Sequence, residues 1–150
     1  MDVTTIKCRD LMIGDWITNE SGLPTQIITV SGACAYAIFG GDEGDPWVFD
    51  DYIYLPTPIP LTPEILDKNG FYGRNTQWYY KRFWSNGCFD IAISLVYREI
   101  EVSKVCGAGT DCEEVEYDSS IAFGNDICVH TLQHALRLCG LHELANNFKV

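Results

Sequence analysis

Asn86-Gly87 stands between two β-forming runs, Gln77–Ser85 and Cys88–Tyr97. Both residues of an Asn-Gly pair enter the positive-φ region at low cost, so the chain can reverse with the twist that antiparallel strands need. The second half of the chain is therefore expected to be an antiparallel sheet. On the return strand, Phe89, Ile91, Ile93 and Leu95 alternate with smaller or polar residues and supply one apolar face. On the outgoing strand Trp78, Tyr80, Arg82 and Trp84 share one side, while Tyr79, Lys81 and Phe83 share the other. One of these sides joins the core. The other is either covered by the rest of the chain or left open, and an open aromatic side would be a surface for a partner or for self-association. Trp78, Tyr80 and Trp84 are the candidate binding residues.

Further strands are expected at Glu99–Val105 and Glu114–Tyr117, around the loop Cys106–Cys112, with a last short strand at Ile121–Phe123. Upstream, Pro56, Pro58 and Pro60 hold an extended crossing segment. It leads into Thr62 as a helix N-cap, Pro63 at the first helical position, and Gly70 as a left-handed C-terminal cap with Phe71 as its apolar contact. Before it, strands starting at Trp16 and spanning Leu23–Val30, Ala33–Phe39, Trp47–Phe49 and Tyr52–Leu55 are separated by turn residues. Short, closely spaced strands of this kind predict a small curled SH3-like sheet. The expected fold is α+β: an SH3-like β lobe over residues 1–56, then residues 57–150 as a connecting helix, an antiparallel sheet and a C-terminal helix, the two forming one compact unit.

A chain of 150 residues, 47% hydrophobic and 13% aromatic, can bury a core without disulfides or metals. Its seven cysteines are odd in number and irregularly spaced, which argues against a disulfide framework and for a reducing compartment. No apolar stretch is long enough for a membrane span, and the N-terminus lacks a signal-peptide core. The cytoplasm is the expected location. A net charge of −11, with Lys81-Arg82 as the basic pair, opposes binding to a phosphate backbone. It leaves open an acidic inhibitor that imitates nucleic acid.

The closing helix, projected over residues 130–139, places Leu132, Ala135, Leu136 and Cys139 on one side and His130, Gln133, His134 and Arg137 on the other. Histidines four apart can share a zinc ion, as in the metalloprotease motif His-Glu-x-x-His. Here Thr131 occupies the position of the glutamate that would act as general base, and no third ligand follows within the helix. The plainer expectation is a polar stripe facing solvent. His130 and His134 remain the candidate metal ligands, and no cofactor is expected.

Cys106 and Cys112, six apart, depart from zinc-knuckle spacing, though Cys128 and His130 could complete a set; buried apolar behaviour is the simpler expectation. The acidic loop Asp42–Asp45, with Asp50 and Asp51 nearby, matches no calcium-loop spacing. Gly40-Gly41 and Gly107–Gly109 lack the lysine and the strand-to-helix setting of phosphate loops.

Three segments together, Asp10–Ile17, Pro58–Phe71 and Val129–Gly140, resemble a family of uncharacterised proteins of Bacteroides-type gut bacteria and their phages and mobile elements. The likeness covers about a quarter of the residues, in one order along the chain. It implies a co-linear domain or two tightly joined lobes, and carries no known activity. In that family Glu can stand where this chain has Thr131, and the Cys106–Cys112 insertion is not a family feature. The leading expectation is a non-enzymatic protein-interaction module of a mobile element or phage. The alternatives are a metal-dependent hydrolase using His130 and His134, and the nucleic-acid mimic.

Overall fold

The computed structural model describes residues 6, 7, 10–19, 22–31, 34–39, 47–50, 56–73 and 77–150. Its elements are β1 (Trp16–Thr18), β2 (Pro24–Ser31), β3 (Cys34–Phe39), β4 (Trp47–Asp50), α1 (Pro63–Lys68), β5 (Tyr72–Gly73), β6 (Tyr79–Trp84), β7 (Cys88–Ser94), β8 (Glu99–Cys106), β9 (Glu114–Ala122), α2 (Val129–Leu138) and α3 (His142–Asn146). The fold is α+β. β1 to β4 form one antiparallel meander, and β5 to β9 form a second, with neighbours in sequence also neighbours in space. The expected fifth strand of the first sheet, Tyr52–Leu55, lies outside the described residues, as does the acidic loop Asp42–Asp45.

Residues 85–87 join β6 to β7, with Trp84 opposite Cys88 and the Ser85 N–H donating to the Gly87 carbonyl at 2.9 Å. Asn86 and Gly87 both take positive φ, so the turn forms where expected but with Ser85 as a third loop residue. β9 is longer than its sequence suggests. Ser119 and Ser120 keep their places in the ladder opposite Val102 and Glu101, fusing the two expected short strands into one. Tyr72-Gly73, too short to read from periodicity, pairs with Tyr79-Tyr80 as β5.

α1 begins and ends as its residues require. Thr62 Oγ1 accepts from the Ile65 N–H at 3.3 Å. At the other end Gly70, at φ +80°, lets the Gly70 and Phe71 N–H groups reach the carbonyls of Asp67 and Leu66 at 3.0 Å each. Phe71 drops into the core. The proline segment before α1 is held on both sides. Thr57 exchanges backbone hydrogen bonds with Thr18, while the Ile59 carbonyl accepts the Val129 N–H and the Leu61 N–H donates to the Ile127 carbonyl.

The main core lies on one side of the five-stranded sheet. Ile91, Ile93, Ile100 and Val102 from the sheet meet Leu132, Leu136, Leu144 and Phe148 from the C-terminal helices, with Leu66 and Phe71 closing one end. Leu132, Ala135 and Leu136 are buried as the helix projection predicts. α3 follows a second glycine cap: Gly140 at φ +81° sends the Leu141 N–H back to the Leu136 carbonyl at 2.9 Å. None of the described helices is long and apolar enough to cross a membrane.

Candidate functional site

The polar side of α2 does not face water. Gln133 is fully buried, Arg137 and His130 are nearly so, and the sequence expectation of a solvent-facing stripe is overturned. What covers them is the Gly14–Trp16 turn, more than a hundred residues away in the chain. The fully buried Asp15 carboxylate receives Arg137 Nη1 at 2.7 Å on one oxygen. Its other oxygen meets His134 Nε2 at 2.6 Å and accepts the Met12 N–H at 2.8 Å. Gln133 accepts the Trp16 N–H at 2.9 Å and donates to the Gly14 and Ala145 carbonyls at 2.8 and 2.9 Å. Arg137 also donates to the Ile13 carbonyl at 3.1 Å and to Asn146 Oδ1 at 3.2 Å.

Gly14 is required by both backbone and space. Its φ is +92°, and a Cβ there would lie 3.1 Å from Arg137 Nη2 and 3.2 Å from Asn146 Oδ1. Trp16 Nε1 adds a hydrogen bond to the Phe148 carbonyl at 2.6 Å. Residues from the start and end of the chain thus make one buried hydrogen-bonded joint, in which each donor is spent on protein.

This arrangement defines what the histidine pair can do. The two rings meet edge to face with centroids 5.8 Å apart. His134 Nε2 is already engaged by Asp15, whose second oxygen holds a guanidinium, and that fixed cation opposes a dication beside it. His130 is the exception in the joint: its Nδ1 is buried without a hydrogen-bond partner. Burial pushes its pKa down to about 4; the Asp15 carboxylate pulls the other way, and His134 adds to the lowering. His130 is therefore neutral over the ordinary pH range. Thr131, at the position of the missing base, caps the helix: its hydroxyl donates to the Cys128 carbonyl at 2.8 Å and accepts the Cys128 N–H at 3.1 Å. Among the described residues no group of three His, Cys, Asp or Glu side chains is placed to hold a metal ion.

The cysteines divide by position. Cys88 is buried as expected, whereas Cys106 and Cys112 are exposed, against expectation, at the two ends of a largely exposed β8–β9 connection. Cys106 Sγ lies 3.2 Å from Glu116 Oε2, and that hydrogen bond is the first cause raising its thiol pKa, which opposes a reactive thiolate.

The sheet's other face is different in kind. Tyr79 and Phe83 turn inward and pack on the core, which sends Trp78, Tyr80, Arg82 and Trp84 outward. Trp84 is 64% exposed, and Tyr72 and Tyr97 are exposed as well. Trp78 pairs with Tyr97 at 6.2 Å between ring centroids and Tyr72 with Tyr80 at 6.5 Å, giving two aromatic pairs at one end of the face. Next to them Arg82 grips Asp90 with two hydrogen bonds of 2.7 and 2.9 Å and Glu113 with a third of 2.7 Å. The Glu113 contact, with the Gly109 N–H donating to the same carboxylate at 3.0 Å, folds the 107–113 loop back over β8 and β7. Arg82 beside it holds the Glu113 carboxyl below its usual range, and the Gly109 hydrogen bond reinforces this.

A cleft of about 470 Å³ runs over this face, with Tyr72, Tyr80, Arg82, Asp90, Ala92 and Glu101 in its lining. The sequence had named Trp78, Tyr80 and Trp84. Tyr72 and Glu101 were missed because only strand register, Tyr72 to Tyr80 to Ala92 to Glu101, brings them into one row. The carboxylates of β8 and β9 divide between the two faces. Glu101 and Asp118 point to the open side, while Glu116 lies with Lys104 on the other. Comparison with known proteins finds no matching family model, no matching curated protein and no matching solved structure.

Proposed function

We propose that this chain is a non-enzymatic protein-binding module whose partner seats on the open face of the five-stranded sheet, around Trp78, Tyr80 and Trp84. One observation carries the proposal. The helices cover one face of the sheet, yet the opposite face keeps large aromatic side chains in water, with Trp84 64% exposed. Exposed tryptophan and tyrosine beside an arginine is the composition of interface centres, not of inert surface. His134 supports this by contrast, since its Nε2 is engaged by Asp15 inside the internal joint. The resemblance of the three segments to phage and mobile-element proteins supports a partner in a bacterial cytoplasm.

Site-specific photocrosslinking tests the proposal. A photoreactive phenylalanine analogue at position 84, in cells of the native host, is expected to give a discrete adduct with another protein, and the same group at exposed Leu138 on α2 is not. Equal labelling from both positions, or none from position 84, would remove the sheet face as the docking surface.

A further inference from the structure

The open face also says what kind of partner it fits. We infer that the cleft takes a basic side chain, lysine or arginine, from an extended segment of the partner; this rests on the docking proposal above and names the partner's chemistry. One cross-strand row sets the shape: Tyr72, Tyr80, Ala92, Glu101 and Ser120 are successive partners across β5 to β9. Strands lie about 4.8 Å apart, so the small Ala92 leaves a trough roughly 10 Å wide between the Tyr80 ring and the Glu101 carboxylate. The tyrosine pair walls one side, its rings inclined at 37°.

Charge decides the occupant. In the neighbouring row, Arg82 is held by two carboxylates, Asp90 and Glu113, so the guanidinium presents no net positive charge to the trough. Glu101 has no cation partner among the described residues, and Asp118 lies outward one row along. An acidic or phosphorylated ligand would meet repulsion here. A lysine or arginine lays its methylenes over Ala92 and the tyrosine rings while its charged end reaches Glu101. The net charge of −11 adds steering of the same sign.

The experiment is fluorescence anisotropy with the full chain and two labelled decapeptides, one alternating Lys and Thr, the other alternating Glu and Thr. Binding of the Lys peptide and not the Glu peptide is expected. Glu101→Gln and Tyr80→Leu should each weaken it about fivefold. Glu64→Gln, which removes one equal charge from α1, should leave it within about twofold. Equal weakening by Glu101→Gln and Glu64→Gln would mean bulk attraction alone and overturn the inference, as would no binding of the Lys peptide. Either failure with adducts from position 84 intact removes only the basic partner; loss of those adducts removes the docking surface itself.

Discussion

Two arginine–aspartate pairs of equal length lie in opposite surroundings. Arg137 and Asp15 meet at 2.7 Å with side chains 6% and 0% exposed, whereas Arg82 and Asp90 meet at 2.7 Å with side chains 35% and 42% exposed. Distance therefore ranks neither. The buried pair has lost its hydration and depends on the hydrogen bonds around it, from Met12, His134, Ile13 and Asn146. The open pair keeps water and salt as substitutes for each partner. The first belongs to folding, and the second is free to serve a surface.

The sharpest way to break this contrast is Arg137→Leu. It leaves the Asp15 charge buried without its main partner, and should cost about 3–5 kcal/mol of stability in urea unfolding. A loss below about 1 kcal/mol would show water replacing the guanidinium and a wet joint.

Next in size is the acid response of His130. Its folded-state pKa, about 4, lies below the ordinary 6.5, so the folded state resists protonation more than the unfolded chain does. The associated stability is complete above pH 6.5 and falls as pH drops toward 4, by on the order of 3 kcal/mol. His130→Leu should flatten that part of the stability profile relative to the parent. Superimposable slopes from pH 6.5 to 4 would place the acid sensitivity elsewhere.

A smaller effect is expected at the α1 cap. Thr62→Ala removes the acceptor for the Ile65 N–H and should cost about 1 kcal/mol, measured as a shift of the urea midpoint. Last comes Arg82→Met, whose unfolding midpoint should match the parent within error despite the loss of three hydrogen bonds. A clear drop would mean that the 107–113 loop, tied to Arg82 through Glu113, contributes to the fold and not only to the surface.

Much of the architecture is legible in short stretches of sequence because its causes are local. The Asn86-Gly87 reversal, the Thr62 and Gly70 caps of α1, and the alternation from Phe89 to Leu95 each rest on interactions within a few residues. Longer-range features were misread or missed. β5 is two residues long and exists through its pairing with β6. α3 is only five residues, too short for its periodicity to stand out after Gly140. Of the candidate binding residues, the side shared by Trp78, Tyr80 and Trp84 followed from strand alternation, but which side faces solvent did not.

The same division holds for the helix that carries His130 and His134. Its residues dictate an amphipathic helix, with Leu132, Ala135 and Leu136 inward and a glycine stop at Gly140, because side-chain spacing and backbone sterics act over a single turn. That its polar side is also buried depends on contacts such as Trp16 to Gln133 and Asp15 to Arg137, separated by 117 and 122 residues. A lone arginine or glutamine on a helix reads as solvent-facing because burying it unpaired is costly, and its partner is not visible within the helix. Only the folded chain supplies Asp15 and the Gly14 and Trp16 backbone, which meet those hydrogen-bonding needs and turn an apparent surface into an interior.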